Sequence, residues 1–410
     1  MRPLAPSERA LWLLGRAAPA NGVLVAEARG LDEGALRDGL GRAQRRHPLL
    51  RAGVDGDAFV ESDAPIPLSI ARGDPTAIAE EELNRRFDEA ARPLVRATLV
   101  DRGDGRCALV ICAHHLVCDA QSVIAIALEA LAPVDEPLAP APPVDQLRPP
   151  EARGARRWLK LHNQLWRHAW RKVARARKLP LDGLAPLAER RTRLRPHALT
   201  VEETDALAAR CRAEGTTVHG ALAAALLAAA HAQIGPGRAA TVGCWSAVDL
   251  RARLARPVGG AIGVYVSQAT TFHRLRPNGD FWRLARDARN QLAKRIAAGE
   301  PWFTFPELGL LVPRGASPVE KFARRVDLAS PAAVGVTNLG RLAAPREGRF
   351  TVERLQLAVG IAPVTPLALA AATFRGALGW TLLSVEPLVS PARADAIARE
   401  VATRLGGRPI

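Results

Sequence analysis

Ala113-His114-His115-Leu116-Val117-Cys118-Asp119-Ala120-Gln121-Ser122 follows directly on an apolar run, Cys107-Ala108-Leu109-Val110-Ile111-Cys112, and these two segments decide how the chain is read. The run is short, lacks polar alternation and is β-branched at its centre, which predicts a strand covered on both faces. Asp119 or Ser122 then caps a helix that continues through Val123 to Leu128. Two histidines and a carboxylate therefore stand between a strand end and a helix start, where open sheets present their chemistry. Imidazole exchanges a proton near neutral pH without retuning, so a general base is expected here. Imidazole and carboxylate would also suit zinc or iron, but adjacent histidines in an extended segment face opposite sides, which argues against one shared ion.

Upstream, the pattern predicts a helix from about Asp32 to Arg46, a strand around Arg51 to Val54, a helix over Ala77 to Ala90 and a strand from Leu94 to Asp101. Arg102-Gly103-Asp104-Gly105 is a hairpin signal leading into the strand that ends at His114. Downstream, the proline-dense stretch from Pro133 to Pro150 reads as an extended connector. Beyond it, Trp158, His162, Trp166 and Trp170 recur every four residues within the basic stretch Arg153 to Lys178. That spacing lines one side of a helix, expected to lie on the body of the protein, with a peripheral membrane or carrier-protein contact as the alternative.

The second half opens on Thr200-Val201-Glu202-Glu203, a capping box for a helix through Cys211, followed by an alanine-rich helix from Val218 to Gln233. Strands are expected at Ala240 to Val248, Gly263 to Phe272, Thr351 to Val359, Leu367 to Phe374 and Leu378 to Val385. Asp280 to Ala297 reads as an amphipathic helix, and Ser390-Pro391 as the cap of a last helix through Leu405. Helices and strands mix on both sides of the connector, giving an expected α/β division into 1–132, 133–190 and 191–410.

The 410 residues suffice for two or three domains, and 48% hydrophobic with 24% charged residues is a globular balance. The net charge of +16 invites a nucleic-acid reading, yet only five of the 57 basic residues are lysines. Such arginine excess alongside alanine, glycine and proline reflects coding bias, and none of the recognised nucleic-acid motifs is present, so no nucleic-acid partner is expected. A basic surface still speeds the encounter of acidic ligands such as coenzyme A or an acidic carrier protein. Cys107, Cys112, Cys118, Cys211 and Cys244 form an odd set without CxxC spacing, so a reducing, cytoplasmic setting is expected rather than a disulfide framework or zinc knuckle. No stretch approaches about 18 uninterrupted apolar residues, and a soluble monomer is the expectation.

His114-His115-Leu116-Val117-Cys118-Asp119 resembles the HHxxxD signature of the condensation-domain superfamily of acyltransferases, related in fold to chloramphenicol acetyltransferase. Further segments fit in order: Ser7 to Trp12 resembles the opening helix, and Arg45-Arg46-His47-Pro48-Leu49-Leu50-Arg51 is similar to the family's RHPxLR stretch. Val248-Asp249-Leu250-Arg251 with Ile262 to Ser267 looks like the paired second-half motif. Asp280-Phe281-Trp282 and Thr337-Asn338-Leu339-Gly340 resemble the free-standing branch that includes the phthiocerol dimycocerosyl transferases. The resemblance implies two chloramphenicol acetyltransferase-like lobes forming a V, with an active-site tunnel between them.

It also implies chemistry. His115, matching the second histidine, would take the proton from an acceptor alcohol or amine as that atom attacks an acyl thioester. His114 would orient the loop, and Asp119 would pair with an arginine from the second lobe, for which Arg251 is the matching position. Asn338 and Gly340 would line the substrate channel. Ala120 departs from the glycine usual after the aspartate; it either adopts an ordinary φ or narrows the site. No bound cofactor or metal is expected, with acyl-coenzyme A or an acyl or peptidyl carrier protein supplying the thioester. Ester formation is favoured by the Thr337 to Gly340 stretch, amide formation is the nearest variant, and a non-catalytic docking platform for carrier proteins is the alternative from another class. Cys118 and Ser122 read as a packing residue and a helix cap rather than nucleophiles.

Overall fold

The computed structural model describes all residues except 1, 89–90, 104, 132–135, 155–157, 160–161, 163–175, 236, 313–318, 331, 345–349 and 407–410. Trp166 and Trp170 of the basic stretch lie outside the described residues, whereas Trp158 is helical and exposed.

The sheet of the first half is built around the apolar run that opened the reading. β6 (Arg106–His114) is buried from Cys107 onward, because β1 (Asn21–Arg29) and β5 (Val95–Gly103) pair with it on either side and helices cover its faces. β4 (Leu68–Arg72) adds to β5 in parallel, and β2 (Ala52–Asp55) with β3 (Ala58–Glu61) forms a separate hairpin. Against this sheet lie α1 (Pro6–Ala17), α2 (Glu33–Arg46), α3 (Pro75–Asn84) and α4 (Ala120–Leu131). The Asp32 carboxylate caps α2, and His47 and Arg51 close it: Arg51 donates to the Gln44 and Arg45 carbonyls while His47 meets Glu129.

The second sheet runs β7 (Arg191–Ala198), β13 (Ala377–Glu386), β12 (Leu367–Phe374), β10 (Val334–Leu342), β8 (Ala240–Asp249), β9 (Val266–Leu275). α5 (Val201–Ala213) starts on the expected capping box, with Thr200 and Glu203 exchanging hydrogen bonds. α6 (Val218–Ile234) is apolar all round and accordingly buried, between the sheet, α7 (Phe281–Ala297) and α9 (Pro391–Leu405). α8 (Val319–Ala329) packs on α1. Among the described residues no single helix is long and apolar enough to cross a membrane.

Several expectations need correction. β1, β3, β4, β7 and β10 were not foreseen as strands nor α8 as a helix, and α3 ends at Asn84 because Arg85 turns to an extended conformation. β9 begins at Val266, since Gly263 and Tyr265 are spent on contacts with the His-His-Asp loop described below. Ser390 makes no side-chain cap; its amide donates instead to Asp182, and Pro391 alone marks the first helical turn. One strand crosses over. β11 (Thr351–Val359), expected with its neighbours in the second half, pairs antiparallel with β1 and forms the edge of the first sheet. A strand of the second half thus completes the first sheet, with β1 between it and β6.

Candidate active site

The histidine pair sits where β6 stops. The His115 amide donates to the Ala20 carbonyl and Val117 to the His114 carbonyl, a tight turn that sends the two imidazoles apart. His114, still in strand register, is only 2% exposed. Its ring lies among Trp12, Phe87 and Gly15, and a Cβ at Gly15 would stand 2.1 Å from its Nε2. Its Nδ1 accepts the Leu116 amide at 3.0 Å, so the proton resides on Nε2. Burial, helped by the neighbouring His115, lowers its pKa to about 3 and keeps it neutral. His114 holds the turn.

His115 is half-buried and faces a cavity. Its Nδ1 lies 2.8 Å from the Cys118 carbonyl, which can only accept, so Nδ1 carries the proton and Nε2 holds a lone pair. The cavity, about 120 Å³, is walled by His115, Ala120 and Gly22 from the first half, by Trp245, Ala247, Val266 and Phe305 from the second, and by the crossing strand β11. Phe305 stands against the His115 ring with centroids 5.9 Å apart. The lining is apolar apart from a few groups including His115, Ser267, Gln268 and Thr337.

Asp119 points the other way, into a polar knot that joins the halves. Its carboxylate takes both terminal nitrogens of Arg251 at 2.9 Å each, the Tyr265 amide at 2.9 Å, and the Ser122 amide and hydroxyl at 3.0 and 2.9 Å. It is the cap of α4, the role for which Ser122 was the other candidate. The Ser122 hydroxyl also accepts from the Gly263 amide and lies 2.9 Å from the Gly263 carbonyl, to which the Asp119 amide donates. Asp249 orients Arg251 from its own side, accepting from the backbone amide and from Nη1. An Arg fork against a carboxylate in this bidentate form fixes geometry as well as charge. His114, His115 and Asp119 are therefore committed to separate partners in diverging directions.

The remaining expectations divide. Ala120 is the first residue of α4, has an ordinary φ and lines the cavity, so its methyl narrows the wall without straining the turn. Asn338 and Gly340 are not on that wall; they form a bulge in β10, where Gly340 has φ +70° and its amide is held by the Asn338 side chain. Thr337, next to them, faces the cavity instead. Cys118 is buried, and burial together with the adjacent Asp119 raises its thiol pKa well above the usual value. Sequence reasoning missed Trp245, Phe305, the Tyr265 amide and the role of Ser122, since none carries a spacing signal visible without the fold.

Comparison with known proteins bears on this geometry. Residues 188–379 match the family model described as phthiocerol/phthiodiolone dimycocerosyl transferase C-terminus. The chain is 29% identical over 212 residues to malpinin synthetase of Mortierella alpina, which is 45% of this chain and only 3% of that protein. In structure it is similar to the trichothecene 15-O-acetyltransferase TRI3 from Fusarium sporotrichioides, with a TM-score of 0.72 at 14% identity over 98% of this chain and 94% of that one. Polyketide synthase associated protein 5 from Mycobacterium tuberculosis superposes with a TM-score of 0.66 at 18% identity, covering 98% and 97%. The EpoB cyclization-docking bidomain of a nonribosomal peptide synthetase from Sorangium cellulosum gives 0.67 at 17%, covering 98% and 83%. The matched region thus resembles the C-terminal part of such transferases, and the whole chain shares its mixed α/β fold with these acetyltransferase, synthase-associated and cyclization-domain structures.

Proposed function

We propose that the protein transfers an acyl group from a thioester, carried by coenzyme A or an acyl or peptidyl carrier protein, to an alcohol, with His115 as general base. The observation that carries this reading is the His115 tautomer: Nδ1–H is tied to the Cys118 carbonyl, which leaves the Nε2 lone pair for chemistry in a cavity walled by both halves. In this mechanism Nε2 takes the hydroxyl proton while the oxygen attacks the thioester carbon. The tetrahedral intermediate then collapses, the C–S bond breaks, and the imidazolium returns the proton to the leaving thiolate. A positioned base contributes about 10² to 10⁴-fold. No covalent enzyme intermediate is needed, in keeping with the suppressed acidity of Cys118.

Amide formation is the second reading, favoured by the likeness to malpinin synthetase. Supplying alcohols and amines in parallel with a panel of acyl-coenzyme A and acyl-carrier thioesters, and identifying products by mass spectrometry, separates the two. Replacing His115 by alanine is expected to lower turnover by about 10² to 10⁴-fold. Unchanged turnover would remove His115 from the mechanism, and unchanged carrier-protein binding without any turnover in the wild type would favour the docking role.

A further inference from the structure

The proline-dense connector is not a loose tether. Val144, Leu147 and Ala152 share a small core with Leu250, Tyr265, Trp302 and Phe303 of the second half. The Leu147 carbonyl accepts the Ala255 amide, and the Tyr265 hydroxyl donates to the Pro142 carbonyl. From this packed stretch Arg148, only 6% exposed, sends its guanidinium to three acceptors of one short segment. It donates to the Trp302 carbonyl at 3.2 Å, the Glu307 carboxylate at 2.6 Å and the Pro306 carbonyl at 2.8 Å. Glu307 is buried as well. A buried ion pair is weak evidence for added stability, because desolvating both charges offsets their attraction unless further hydrogen bonds complete the geometry. Here those further bonds go to main-chain carbonyls, and what they draw together is a turn of backbone.

That turn carries Phe305. Two 3₁₀ turns, Glu300–Phe303 and Phe305–Leu311, break at Thr304, where ψ is −88°, so no continuous helix supports the ring. Its place is set from outside. The Phe305 amide donates to the Ser267 hydroxyl at 3.2 Å, and Pro6 at the start of α1 packs so closely on Gly309 that a Cβ there would stand 2.4 Å from it. Arg148 ties the residues on either side of Phe305, Trp302 to Pro306 and Glu307, through a planar fork that fixes direction as well as distance. Phe305 in turn faces the His115 ring on the wall of the cavity, with centroids 5.9 Å apart. Two side chains thus link the connector to the imidazole.

We propose that Arg148 is a positioning residue: it holds Phe305 against His115, and thereby keeps the imidazole turned with Nδ1 on the Cys118 carbonyl and Nε2 toward the cavity. The placement of the ring does not depend on what the site binds, and only the kinetic part of the test rests on the acyl-transfer reading. The first readout is the His115 Cε1–H resonance in carbon-edited NMR of the full chain, assigned by its loss in His115→Ala. Phe305→Leu defines the shift that follows when the aromatic ring current is removed. Arg148→Met is expected to move the resonance toward that position while His197 on β7 and His231 on α6 keep theirs, a selectivity that general loosening of the fold would not give. Arg148→Lys, a point charge that cannot span both carbonyls, is expected to move it too, and carries the test where methionine does not fold. The second readout is kcat with the acyl-coenzyme A panel, expected to fall by up to about 100-fold in either Arg148 variant, the cost of a misplaced reacting group. A His115 resonance unmoved in the folded Arg148 variants, or unmoved in Phe305→Leu, overturns the proposal. A moved resonance with unchanged kcat overturns it as well, since the orientation held by Arg148 would then not matter to the rate. If the resonance moves as expected but the wild type turns over no thioester, the acyl-transfer reading falls and the hold of Arg148 on the ring stands.

Discussion

Removing the Asp119 carboxylate is the sharpest perturbation of the site, because one side chain caps a helix, pairs a cation and joins the two halves. Asp119→Ala strips α4 of its cap, worth about 1 kcal/mol, and leaves the Tyr265 amide without its acceptor, worth about 1–3 kcal/mol. Breaking a buried ion pair from one side costs about 3–5 kcal/mol. That last figure is reduced here, since Arg251 is 22% exposed at the side chain and keeps Asp249 at 3.2 Å, whereas Asp119 is 2% exposed. These effects share atoms and do not add, so the expected loss is about 4 kcal/mol. Arg251→Ala leaves the cap intact and costs less. The interaction itself is isolated by the double-mutant cycle, with an expected coupling of about 2 kcal/mol. Urea unfolding of the four proteins, monitored by tryptophan fluorescence at constant pH, supplies the numbers. A coupling below about 0.5 kcal/mol, within the scatter of independent sites, would mean the fork carries no net energy and refute the claim that it fixes the His-His-Asp turn.

Acid should expose His114. Its folded pKa of about 3 lies below the ordinary 6.5, so the unfolded chain takes up the proton first and stability falls as pH drops through 6.5, levelling off near 3. At pH 5 the loss from this group is about 2 kcal/mol, and His114→Asn, which keeps an acceptor for the Leu116 amide, should remove that part of the slope in urea midpoints measured from pH 7 to 4. Gly15→Ala drives a methyl into the His114 ring and should cost about 1–3 kcal/mol in the same assay while lowering turnover; a variant as stable and active as the wild type would show the ring to be movable. Cys118 should resist iodoacetamide in the native protein at pH 8, and Cys118→Ala should keep turnover within about threefold, because the carbonyl rather than the thiol of this residue serves His115.

The motif-bearing half of the fold was the more legible from sequence. β6 and its hairpin partner β5 announce themselves through an unbroken apolar run and a glycine turn, and Asp32, Thr200 and Asp119 advertise helix starts by side chains that bond the backbone locally. What failed was whatever depends on distant partners. β1 carries Asn21 and Glu27 in a nine-residue strand, and no local signal says that it lies between β6 and β11. β10 hides behind Asn338 and Gly340, turn-forming residues that here make a bulge inside a strand. The crossing of β11 is invisible to periodicity, which reports which face is buried but not against which sheet. Asp119 and Arg251 were legible through the resemblance, whereas no local signal places Trp245 and Phe305 on the wall of the cavity.

The division of labour between the two histidines follows from these same packing facts. The turn after β6 sends the two side chains apart, one among Trp12, Phe87 and the bare backbone of Gly15 and the other toward the cavity. Burial withdraws His114 from acid–base work and makes it a fixed acceptor for the turn, which leaves the second ring for the role proposed above. That ring is aimed by the Cys118 carbonyl, and the residue after Cys118 is the one gripped by Arg251 across the two halves. The His115 ring is therefore positioned by the second half as well as by its own strand, since one peptide unit separates the carbonyl that holds it from the carboxylate held by Arg251. In the proposed acyl transfer, this contact would tie the wall that receives the substrate to the ring that activates it.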